Sequence, residues 1–146
     1  MTSSRARTHA VPVLAVLLGA LVVASIALGV VDARATARDG DGAAALAAVR
    51  THLTALVAAS SSPTARAEAL DGATGAWRAR LESGAAPAGT AVVVRAVGLE
   101  SLDGDSARVL TAARLTDGTS QRAWRVAATL TRVDDRWLVS DLAEVP

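Results

Sequence analysis

The chain has 146 residues, 51% of them hydrophobic, a formal net charge of +1 and no cysteine. That length suits one small domain with a little left over for a tail or an anchor. The apolar content excludes a wholly disordered chain, and the lack of cysteine excludes a disulfide framework, a thiolate zinc site, an iron–sulfur cluster and a cysteine nucleophile. All 15 basic side chains of the Lys/Arg class are arginine. Setting aside Arg5 and Arg7 leaves thirteen arginines against fourteen acids from Asp32 onward. A near-neutral domain with arginines spread along it has no phosphate-tracking stripe, so nucleic acid is not an expected partner.

Residues 1–10 form a short tail, expected to be cytoplasmic, that carries Arg5, Arg7 and His9. Val11 to Val31 comes next and contains no charge: VPVLAVLLGALVVASIALGVV. A helix of that length spans about 31 Å, enough for a hydrocarbon core of roughly 30 Å. The run therefore reads as a single transmembrane helix, with the C-terminal domain outside the cytoplasm. The other reading is a cleaved signal peptide, because Ala33-Arg34-Ala35 is an A-x-A pattern at a suitable distance. Secretory apolar regions are shorter than this one, which favours the anchor.

Residues 32–42 read as a polar linker, with Asp39 or Asp41 placed to cap the next helix. Leu46, Val49, Leu53 and Leu56 recur at helical spacing, which predicts a helix over roughly 43–59 with one apolar stripe. Ser62 and Pro63 are an N-cap and a first helical residue, so a second helix starts there. A third is expected from Thr74 to Ser83, with Trp77 and Leu81 on one face.

From Thr90 the period changes to two. Ala91–Leu99 is rich in valine. Asp105–Leu115 alternates, with Ala107, Val109, Thr111, Ala113 and Leu115 on one face. Ser120–Val133 alternates again, with Trp124, Val126, Ala128 and Leu130 together. Arg136–Leu142 places Trp137 beside Val139. Asp103-Gly104, Asp117-Gly118 and Asp134-Asp135 are tight-turn signals between them. Successive short turns join antiparallel neighbours, so the strands form a four-stranded meander. Its apolar face needs a cover, and the three preceding helices are the available one. The expected class is α+β, with three helices packed on a curved four-stranded antiparallel sheet over residues 43–146.

Candidate chemistry is sparse. His52 has neither a second histidine at ligand spacing nor a cysteine, so a metal site there would need carboxylates alone. It reads as a helix-surface histidine at the core boundary. Asp71, Asp103 and Asp105 resemble paired carboxylates only superficially, since Asp103-Gly104-Asp105 lies in a turn that favours aspartate for local hydrogen bonds. Ser60-Ser61-Ser62 has loop and capping character. Gly72 and Gly75 come after no strand, so they do not make a phosphate loop. Trp77, Trp124 and Trp137 are the aromatic residues of the chain, and they read as core. Arg122 and Arg125, flanking Trp124, face solvent or pair with acids on the next strand. No catalytic, cofactor-binding or metal residue is assigned.

The stretches LDGATGAWRARL (70–81), VGLESLDGDSARVL (97–110) and RAWRVAATLTRVDDRWLVSDLAEVP (122–146), after a single anchor, resemble the Mce-associated membrane proteins of actinobacteria. Mce denotes the mammalian-cell-entry family of lipid importers. The resemblance runs from the anchor to the end of the chain; its most specific pieces are Ala73-Thr74-Gly75 with Trp77, the SLDGDSA hairpin and the closing RWLVSDL. It implies a cone similar to nuclear transport factor 2. It also implies a non-enzymatic, single-pass cell-membrane accessory role beside the protein subunits of a lipid importer, with no cofactor. The chain departs from the family in the short approach from Trp77 to the first strand, cut by Gly84 and Pro87. Two rivals stand beside this reading: an assembly subunit of a secretion or conjugation system, and a cone-fold enzyme, which would need inward-pointing titratable groups.

Overall fold

The computed structural model of the protein describes residues 38–87 and 89–146. The expected cytoplasmic tail and transmembrane run lie outside the described residues. Among those described, no helix is long and apolar enough to cross a membrane. Gly40–Pro146 is a compact unit, with three helices and then four strands. The helices are α1, helical over 38–58 in the described part, α2 (Pro63–Asp71) and α3 (Gly75–Glu82). The strands are β1 (Ala91–Asp103), β2 (Ser106–Asp117), β3 (Ser120–Val133) and β4 (Arg136–Glu144), paired antiparallel in the order β1-β2-β3-β4.

The α+β meander expected from the alternation is present. Residues 38–42, read as part of a linker, are helical. Asp39 and Asp41 accordingly sit inside α1 rather than capping it, and Asp41 instead accepts from Arg132 of β3 at 2.9 Å. The α2 start matches its sequence signal: Pro63 stands in the first turn and the Ser62 hydroxyl accepts from the Ala65 N–H. Both groups suit a helix start, because the first N–H groups have no partner within the helix.

Strand β1 runs past Leu99 to Asp103. Its register slips between Val94 and Ala96 and again between Leu99 and Ser101. Each extra residue inverts the inside–outside phase of the rest of the strand, which hides the continuing strand from a strict period of two. At the other end of the sheet, β4 is covered. The Thr74 N–H donates to the Val139 carbonyl at 2.8 Å, and the Val139 N–H to the Gly72 carbonyl at 2.9 Å. The α2–α3 connection thus occupies part of an edge that would otherwise present unpaired backbone groups. The β3–β4 turn holds Asp134 and Asp135 at φ 48° and 59°. Aspartate tolerates this left-handed conformation better than most side chains, and it matches the twist of a two-residue hairpin.

The core lies between the helices and one sheet face. Val49, Leu53, Leu56 and Val57 of α1 meet Val109, Leu115, Val126, Leu130 and Val139 from the strands, all at most 1% exposed. Each such side chain contributes roughly 1.5–3 kcal/mol relative to its exposed state. All three tryptophans belong to this core, as expected. Each helix is also tied to the sheet by one arginine–aspartate pair: Asp41 with Arg132, Asp71 with Arg136 at 2.6 Å, and Arg80 with Asp141. Solvent and salt screen exposed pairs of this kind, so burial rather than charge holds the layers together.

Candidate functional site

The most unusual polar group in the unit is His52. The expectation of a surface histidine is wrong, because His52 is 3% exposed. The apolar face of α1 is wide enough to include it. His52 comes three residues after Val49 and four before Leu56, the spacing that keeps side chains on one helical face. Reading the stripe through Leu53 alone missed this.

What makes the burial tolerable is Trp77. Its indole N–H donates to His52 Nε2 at 2.8 Å, and the rings meet edge to face at 6.3 Å between centroids. An indole nitrogen only donates, so Nε2 must be the accepting, unprotonated nitrogen. The proton of the neutral ring therefore sits on Nδ1. Nδ1 is buried and has no partner among the described residues. It lies beneath Gly72, where a Cβ would come within 3.0 Å. Burial pushes the His52 pKa from 6.5 down to about 4, because low-dielectric surroundings disfavour the charged ring.

A groove of about 360 Å³ opens beside this pair, lined by Ala48, Thr51, His52, Glu68 and Arg136 among others. Near its mouth, Asp71 is held below the usual carboxylate range by its hydrogen bond to, and the charge of, Arg136. Glu68 and Asp135 also line or border the groove, while Asp135 accepts from Arg132 at 3.1 Å. The carboxylates here are engaged in ion pairs or stand on exposed surface, and none hydrogen-bonds His52. At neutral pH His52 has its basic nitrogen occupied and its basicity lowered. It is a poor general base, and its chemistry is that of a tautomer-fixed core group.

The remaining sequence-selected residues are dispersed. Asp103 closes β1 and Asp105 lies in the β1–β2 turn, with Gly104 at φ 54°; Asp71 is on α2, and the three do not come together as a carboxylate pair. Ser60 and Ser61 donate to carbonyls at the end of α1. Arg122 pairs with Glu144 of β4 at 3.6 Å, as the strand pairing suggested, and the same carboxylate accepts from the Trp124 indole at 2.7 Å. Among the described residues no cluster of three or more His, Cys, Asp or Glu side chains could hold a metal ion.

No protein-family model, curated protein or solved structure matches this chain.

Proposed function

We propose that this chain is a single-pass, membrane-anchored accessory protein of an Mce-type lipid importer, and that it stabilises the assembled subunits without turning over a substrate. The support is the order and spacing of the three motif stretches behind a 21-residue uncharged run, together with an α+β architecture consistent with the fold that the resemblance implies. The observation that weighs most against an enzymatic role is the state of His52: it is buried, its accepting nitrogen is held by Trp77, and its pKa lies near 4.

In this reading the anchor keeps the domain within a short reach of the membrane. That restricts its search to other membrane-linked subunits and raises their effective concentration. Binding the assembled state and not the separate subunits shifts the equilibrium toward assembly by mass action. Deleting the gene should lower importer subunit levels and lipid uptake together. Unchanged levels and uptake in a strain without a paralogue overturn the proposal and favour a secretion-system subunit.

A further inference from the structure

Three arginines that are spread along the sequence come together on the outer face of the sheet, the face turned away from the helices. Arg114 of β2 is opposite Ala123 of β3, and Arg125 of β3 is opposite Ala112 of β2. The two are therefore diagonal neighbours, about 7–8 Å apart and within reach of long side chains. On the other side of β2, Ala112 is opposite Ala96, and Arg95 is the extra residue of the bulge just before it. All three arginines are exposed, and none enters an ion pair among the described residues. The Arg114 guanidinium donates to the Gln121 side-chain oxygen at 3.3 Å, a neutral partner. The surrounding ladder positions on this face are Val93, Gly98, Leu110, Ala123 and Ala127, so no carboxylate stands beside the arginines. Neighbouring like charges are unfavourable on a sheet, and a negative partner placed over Ala112 offsets all three.

The floor beneath the arginines narrows the choice of partner. A shallow apolar depression of about 270 Å³ lies beside Arg125, bounded by Ala96, Gly98, Leu110, Ala112 and Val145, and Leu110 is 43% exposed. An apolar side chain fits this hollow while a carboxylate close to it in sequence reaches the guanidiniums, whose planar fork suits a carboxylate. An anionic lipid surface would match the charge but not the position. The compact unit begins at Gly40, and Asp41 pairs with Arg132, seven residues from Arg125 along β3 or roughly 23 Å. At that end Asp103 and Asp105 flank the β1–β2 turn, and Asp134 and Asp135 form the β3–β4 turn. These acids disfavour an anionic surface where the chain enters the domain, and the arginines occupy the half of the sheet away from it.

We propose that this half of the outer sheet face binds an acidic segment of another protein, with carboxylates on Arg95, Arg114 and Arg125 and an apolar side chain seated in the depression beside Leu110. The proposal rests on the sheet alone and not on the importer reading. Selection of random dodecapeptides on the full-length protein in phosphatidylcholine nanodiscs should enrich sequences that combine Asp or Glu with a large apolar residue. A selected peptide should lose roughly tenfold or more in affinity on Arg125→Glu, and more when Arg114→Glu is added, while the near-ultraviolet signal of the buried tryptophans is retained. Exchanging its acids for lysine should restore binding to the charge-reversed protein, a rescue that a merely structural role of the arginines does not give. If the glutamate variants fail to fold, Arg114→Gln with Arg125→Gln decides instead, with the same loss expected. The chain lacks cysteine, so Ala112→Cys reports access to the patch without background. It should react with a water-soluble maleimide as fast in phosphatidylglycerol-containing nanodiscs as in phosphatidylcholine alone. Selection without acidic enrichment, or peptide binding indifferent to the arginine variants, overturns the proposal. Protection of Ala112→Cys by the anionic lipid also overturns it and assigns the patch to a membrane surface.

Discussion

The Trp77 indole N–H and His52 Nε2, 2.8 Å apart and both buried, join α3 to α1 by one hydrogen bond inside a mostly apolar core. The bond determines which nitrogen of the imidazole is protonated, and it leaves Nδ1 facing Gly72. Removing the donor while keeping an aromatic ring isolates its contribution. Trp77→Phe should destabilise the domain by about 1–3 kcal/mol, the range expected when a buried acceptor loses its partner, plus a smaller loss of packing. Chemical denaturation measures this directly, and an unchanged midpoint would mean that water replaces the bond at no cost.

Stability should depend on pH through the same residue. The unfolded chain binds a proton at His52 with a pKa of 6.5, whereas the folded chain resists protonation until about pH 4. Between these values the unfolded state holds more protons, so stability falls as pH falls. The loss is fully absent well above pH 6.5 and approaches about 3 kcal/mol near pH 4, at 1.36 kcal/mol per unit. The charged groups lining the groove around His52 are Glu68 on α2 with Asp135 and Arg136 at the β3–β4 turn, and none of them bonds the ring. Urea titrations from pH 7.5 to 4 should show the slope, and His52→Gln should flatten it.

Gly72 is placed by contact rather than by backbone strain. Its φ of −80° is open to any residue, but a Cβ would stand 3.0 Å from His52 Nδ1. Gly72→Ala should cost about 1–3 kcal/mol through overpacking, whereas the same substitution in the His52→Ala background should cost much less. A double-mutant cycle tests this; simple additivity would show that the two positions do not interact.

Trp137→Ala should destabilise the domain by about 3–5 kcal/mol, as for other large aromatics lost from a core. Trp137 is 7% exposed and joins the same cluster as Val139. Thermal unfolding with an unchanged midpoint would place the ring on the surface.

Much of the fold was legible in the sequence because the physical signals were local. The alternation of Ala107 to Leu115 and of Trp124 to Leu130 revealed which sheet face is buried, and Ser62-Pro63 marked the start of α2. Two kinds of feature were not legible. The bulges beside Val94 and Leu99 shift phase without changing composition, so β1 looked shorter than it is. The spacing of His52 from Val49 and Leu56 does put it on the apolar face, but the donor that satisfies it there is 25 residues away, and no local pattern reports such a pairing. The clue available was the unmet need of Trp77: a core indole requires an acceptor, and His52 stands on a helix predicted to pack beside it.

The central claim, that the domain works as a membrane-tethered accessory to lipid import, is tested most directly by complementation. In a deletion strain, the full chain should restore both lipid uptake and importer subunit levels. A form in which residues 11–31 are replaced by a cleavable signal peptide delivers the same domain outside the cytoplasm without a tether, and it should restore neither. Full restoration of both by the released domain would contradict the account.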